Sequence, residues 1–134
     1  MFSQDVLEKI KEEVREFFER MTFEVETEIL PQKEETLPLD IKSEEPQILI
    51  GERGETLSEI QYLLKMILKR KLKIEDKFYL DIDVNDYKKK KIAYLKEVAR
   101  NLAEEVSLTK QERTLPPMSS YERRIVHMEL ANYP

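Results

Sequence analysis

Two glycines in 134 residues, Gly51 and Gly54, limit the folds open to this chain more than any other feature. They stand between the apolar run Ile48-Leu49-Ile50 and a stretch in which Leu57, Ile60, Leu63, Leu64, Ile67 and Leu68 recur at helical spacing. Glycine removes the side chain where backbone must turn sharply or approach something closely. The helix that follows turns unpaired N–H groups and the positive end of its dipole toward the same spot. That end favours an anion, such as a phosphate of a nucleic-acid backbone. Gly-x-x-Gly alone is usually no more than a turn, so the flanking pattern carries the weight.

The length suits one domain, or a small domain and part of another. There is no cysteine, which removes disulfides and thiolate metal sites, and a single histidine, His127. No metal, cofactor or catalytic residue is expected. Neither a Walker-type loop nor a nucleophile elbow occurs, and the carboxylates fall where solvation explains them, so the chain does not read as an enzyme. Met1 to Asp5 open an acidic amphipathic stretch, and no apolar run approaches membrane-spanning length. A cytoplasmic protein without membrane insertion is expected.

The net charge of −5 argues against indiscriminate coating of nucleic acid. It hides an asymmetry. Residues 1–47 hold 14 acidic and 6 basic side chains, whereas residues 48–134 hold 14 acidic and 17 basic. The basic excess gathers at Lys65, Lys69, Arg70, Lys71 and Lys73 and again at Lys88 to Lys91. Either cluster is equally well a solvated helix face, although a local patch can bind phosphate on an acidic molecule.

Periodicity gives the elements in order. Val6, Leu7, Ile10, Val14, Phe17 and Phe18 predict a helix over residues 3–21, capped by Ser3 or Asp5. Alternation predicts a strand over 22–30 and a second one through Leu37, Leu39 and Ile41. Pro38 within that alternation predicts an edge position or a bulge. A short helix begins at Glu45-Pro46, and a long one runs from about 55 to 71 with Thr56-x-x-Glu59 as a capping box. Phe78, Leu80, Ile82 and Val84 predict a third strand. Ile92, Leu95, Ala99, Leu102 and Val106 predict a helix over 87–106. After Leu115-Pro116-Pro117, Ser119-x-x-Glu122 caps a final helix carrying Tyr121, Ile125, Met128 and Leu130, which Asn132 and Pro134 would end. Its apolar residues Ile125, Met128 and Leu130 are expected to dock on Ile92, Leu95 and Leu102, with fraying beyond Leu130.

The apolar run, the Gly-x-x-Gly loop and the amphipathic helix resemble the KH domain, whose loop of this form clamps nucleic-acid backbone. Gly54-Glu55-Thr56-Leu57 followed by Gln61-Tyr62-Leu63 is similar to the bacterial Jag (SpoIIIJ-associated) family. The order helix, two strands, two helices, strand resembles the type II form of the KH fold. Pro117-Met118-Ser119-x-Tyr121-Glu122-Arg123-Arg124-Ile125-Val126-His127 resembles the module named for its Arg-x-x-x-His signature, the R-three-H domain, which directly follows the KH domain in that family. The resemblance implies an α+β chain: a type II KH domain (α-β-β-α-α-β, a three-stranded sheet packed by helices) over 1–85, then a helical Arg-x-x-x-His segment over 86–134. That second module normally continues through further strands, so it is expected to be incomplete at Pro134. The extra N-terminal domain of many family members is also expected to be missing, and Glu52 stands where the family commonly has a basic residue.

The function expected on this basis is single-stranded RNA binding by a bacterial regulator, with single-stranded DNA bound more weakly. Ile50, Gly51, Glu52, Arg53 and Gly54 form the loop site, and Ile48, Ile50, Leu57 and Ile60 are candidate walls of a base-accepting groove. Arg123 and His127, four apart on one helix face, form a second and weaker surface, with Arg124 as a phosphate contact. The alternative is a protein-interaction adaptor with the KH fold as scaffold, and the resemblance implies a KH-only partner protein in some bacteria.

Overall fold

Strands β2 (Thr36–Ser43) and β3 (Tyr79–Val84) run parallel, with Leu37, Leu39 and Ile41 in register with Leu80, Ile82 and Val84. Parallel neighbours cannot be joined by a tight turn and need a long crossover, usually helical. In this computed structural model, which describes residues 2–131, the crossover is α2 (Pro46–Ile50), a 3-10 turn (Glu52–Gly54) and α3 (Glu55–Lys71). The glycine loop is thus the break between two consecutive crossover helices. Strand β1 (Val25–Ile29) pairs antiparallel with the other side of β2, giving the sheet order β1-β2-β3. Helix α1 (Gln4–Arg20) packs against β1 and α3. Two further helices follow, α4 (Tyr87–Thr109) and α5 (Ser120–Ala131). The described residues therefore make a mixed α+β fold with a three-stranded sheet and five α-helices. The chain divides into two compact units, Met1–Tyr87 and Lys88–Pro134.

The core of the first unit follows from the periods. Ile10, Val14 and Phe18 of α1, Leu57, Ile60, Leu64 and Leu68 of α3, and the in-register residues of β2 and β3 are all buried. Ser3 caps α1 by accepting the Val6 N–H at 3.4 Å. Lys71 at the end of α3 pairs with Glu13 of α1 at 3.1 Å. The Asn85 side chain bonds both backbone groups of Ser43 at 2.9 Å and so extends the β2–β3 ladder past its last rung.

Three expectations need correction. The strand expected over 22–30 starts only at Val25, because residues 21–23 close α1. The Phe23 N–H reaches Phe18 O at 2.9 Å and the Thr22 N–H reaches Glu19 O at 2.8 Å, with Thr22 left-handed at φ 68°. This is a Schellman closure, with threonine in the place glycine usually takes. Thr22→Gly should therefore raise stability by about 0.5–1 kcal/mol, since a branched residue pays roughly 1–2 kcal/mol for that conformation and glycine loses part of the gain through its freer unfolded chain. Urea unfolding measures it, and an unchanged midpoint would mean the turn carries no strain.

Pro38 lies on the middle strand, not on an edge or at a bulge. Its carbonyl accepts the Leu30 N–H at 3.0 Å, one residue past the end of β1. A residue's N–H and C=O face the same side of a strand. The missing donor therefore falls where the β1 ladder is ending, and no continuous rung is lost. Thr56 does not cap α3 either. The N-cap is Gly54, left-handed at φ 81°, and no side chain bonds it.

The second unit is small. Leu95 and Ala99 of α4 and Val126 of α5 are buried together, with Leu115, Met118, Ile125 and Leu130 packed around them. Lys91–Glu122 and Arg100–Glu129, each at 3.6 Å, link the two helices along their length. Val126, absent from the expected docking set, is its centre, whereas Met128 is 61 % exposed. Ser119 caps α5, its Oγ accepting the Glu122 N–H at 3.2 Å and lying 3.0 Å from the Glu122 carboxylate. The expected end at Asn132 to Pro134 lies outside the described residues.

Candidate nucleic-acid interface

At the loop, α2 ends on Gly51 with φ 73° and ψ −178°, a conformation open essentially to glycine alone. A Cβ there would overlap the Thr56 hydroxyl and lie 2.9 Å from the Thr56 backbone nitrogen. Thr56 thus fills the space that glycine leaves. Gly54 is buried, and a Cβ on it would meet the Tyr87 ring at 3.1 Å. Between them Glu52 and Arg53 are exposed, Arg53 being left-handed at φ 56°.

Several of the N–H groups that would greet an anion are engaged within the loop. Gly51 donates to Gln47 O at 3.0 Å, Gly54 to Gly51 O at 3.3 Å, and Glu55 to Glu52 O. Arg53 has the exposed Glu52 next to it in the chain and the exposed Glu55 two residues on. One guanidinium with two carboxylates so close along the chain makes a weak field for phosphate. The expected groove walls also separate. Ile48 is 52 % exposed and Ile50 half-buried, but Leu57 and Ile60 belong to the core and cannot receive a base.

In the second unit, Arg123, Arg124 and His127 are all exposed on α5. Arg123 and His127 stand one turn apart at the rim of a pocket of about 410 Å³, whose other walls are Leu115, Pro116, Pro117, Met118 and Val126. The Arg123 guanidinium donates to Ser120 Oγ at 3.1 Å, which holds it along the first turn. Arg124 does not line this pocket. An apolar floor with a cation and an imidazole at its rim suits a flat aromatic group carrying a negative charge nearby. Sequence reasoning passed over the wall from Leu115 to Met118. Two prolines just before a capped helix were the available signal, since they hold that segment extended beside it.

Residues 93–134 match the R-three-H domain. Relatives extend the similarity along most of the chain. A protein of Clostridium symbiosum is 31 % identical over 126 residues, 93 % of this chain and 56 % of that protein. One from Bacillus subtilis is 32 % identical over 103 residues, 76 % of this chain and 48 % of its own, and one from Lactiplantibacillus plantarum is 36 % identical over 85 residues, 63 % and 26 %. Each is named RNA-binding protein KhpB. This chain is a homologue of those proteins. It spans about half the length of the first two and about a quarter of the third. No helix among the described residues is long and apolar enough to cross a membrane.

Proposed function

We propose that this chain binds single-stranded RNA, and single-stranded DNA more weakly, as a cytoplasmic, non-enzymatic bacterial regulator of the Jag type. The observation that carries the reading is the pairing of Arg123 with His127 at the rim of the Leu115–Met118 pocket, inside the stretch that matches the R-three-H domain. Homology to proteins named as RNA-binding supports it from outside the chain. Residues 1–85 are assigned as a type II KH domain and 86–134 as the Arg-x-x-x-His segment. The order α1-β1-β2-α2-α3-β3, with Gly-x-x-Gly between consecutive helices, supports the first assignment.

The sequence suggests that the loop leads and the Arg-x-x-x-His face follows; the geometry favours the reverse. The loop's single cation, Arg53, has Glu52 beside it and Glu55 two residues on, and the loop engages part of its own N–H supply, whereas Arg123 and His127 flank an apolar pocket able to hold a base. Gly51 to Gly54 then guide backbone weakly, with Ile50 behind them. Fluorescence anisotropy with a short labelled single-stranded RNA at low salt tests this. Arg123→Ala with His127→Ala should weaken binding about tenfold, roughly one charge-assisted contact. Glu52→Asp with Arg53→Asp should weaken it only about threefold, a loss of roughly half that free energy. Affinity equal to wild type in the Arg123/His127 variant would sink the reading, and a larger loss from the loop variant would restore the loop as the main site. Glu52→Lys should steepen the salt dependence by about one phosphate contact. An unchanged slope would place the RNA away from the loop.

A further inference from the structure

The outward face of α3 carries a pattern that neither the core nor RNA binding uses. At 100° per residue, Glu55, Glu59, Tyr62, Leu63, Met66 and Arg70 fall within a stripe about 100° wide. The buried residues Leu57, Ile60, Leu64 and Leu68 lie opposite. The middle of the stripe is apolar and open to solvent: Tyr62 is 69 % exposed, Leu63 49 % and Met66 52 %. Its first end is acidic and its last end basic. Three large apolar side chains side by side on one exposed face mark a contact surface more often than chance exposure does.

The charges say what covers it. Glu59 and Arg70 are equidistant from the midpoint between Leu63 and Met66 and about 16 Å apart along the helix. Neither has an ion-pair partner among the described residues, although on α1 Arg15 and Arg20 are paired with Glu12, Glu19 and Glu16. Turned end for end about that midpoint, the stripe is its own complement. Leu63 falls on Met66, and Glu59 on Arg70, twice over. An isologous two-fold contact needs this self-complementarity.

We propose that α3 is a self-association surface that pairs two copies of this chain antiparallel, through Leu63 and Met66 at the centre and two Glu59–Arg70 pairs at the ends. The surface is independent of the RNA-binding reading, since it uses neither Arg123 nor His127.

Light scattering and sedimentation equilibrium of the full chain across a concentration series test the proposal. The mass should rise from 16.1 kDa toward twice that value as concentration increases. Glu59→Arg alone, or Arg70→Glu alone, should hold the protein at the monomer mass, because each brings like charges together twice. The two variants mixed in equal amounts should associate again, since one then presents only positive ends and the other only negative ones. The double swap Glu59→Arg with Arg70→Glu should also associate. Recovery on mixing shows that neither single variant has merely misfolded. A wild type that stays monomeric, a dimer indifferent to both single changes, or variants that fail to associate on mixing would each overturn the proposal. In the first case the stripe belongs to a different occupant, another protein or a nucleic acid.

Discussion

Gly51→Ala will destabilise the first unit by about 3 kcal/mol, and Gly54→Ala by only about 1 kcal/mol. At position 51 two costs add. The backbone at φ 73° and ψ −178° lies where residues with a Cβ pay roughly 1–3 kcal/mol. The new methyl must also displace the Thr56 hydroxyl and the backbone nitrogen behind it, an overpacking cost of about 1–3 kcal/mol. Stiffening of the unfolded chain returns roughly 0.4–1 kcal/mol. At position 54 the φ is 81° with ψ 13°, a left-handed conformation that other residues adopt at moderate cost, and the obstacle is a Tyr87 ring that can shift by tenths of an ångström. Urea unfolding separates the two. A melting point should fall by roughly 10–20 °C for the first variant and about 5 °C for the second. Equal losses would show that left-handedness alone, and not the Thr56 contact, explains both glycines.

Val126→Asp will detach α5 and remove the Arg123–His127 site, while Met128→Asp two residues later will change stability by less than about 0.5 kcal/mol. A helix of twelve residues is marginal in water without a buried face. Val126 is the α5 side chain buried against Leu95 and Ala99, and a carboxylate there would be desolvated without a partner, a cost of several kcal/mol. The amide signals of residues 120–131 should collapse toward random-coil positions, and RNA affinity should fall at least as far as in the Arg123→Ala, His127→Ala variant. Dispersed signals in the Val126→Asp protein would show that Ile125 and Leu130 suffice to hold the helix.

The contrast between those two positions shows where sequence stops being informative. In α5 apolar residues stand at 121, 125, 126, 128 and 130, spread over about 200° of the helix at 100° per residue, too wide an arc to select one buried face. In α1 the apolar residues keep to one stripe, and the helix falls within a residue of its expected bounds. The alternation of Leu37, Leu39 and Ile41 marked β2 just as clearly. What it could not supply was the strand's place in the sheet, because which neighbours flank a strand is settled by pairings across 40 residues and not by its own pattern. Pro38 was misplaced for that reason.

Glycine usage divides the same way. Seven non-glycine residues among those described, including Thr22, Lys73 and Asn85, adopt positive φ, so this chain does not need glycine merely to turn left-handed. The sequence by itself determined that the two glycines mark an exceptional place between two helices, and that Arg123 and His127 share a helix face. Both are local facts, set by spacing along the backbone. Tertiary structure alone decided that Gly51 makes room for Thr56, that Leu57 and Ile60 are sealed in the core, and that Leu115 to Met118 wall the pocket beside Arg123. Each of these depends on which surfaces the packed elements turn toward one another, and burial is a property of that arrangement and not of any residue's own hydrophobicity.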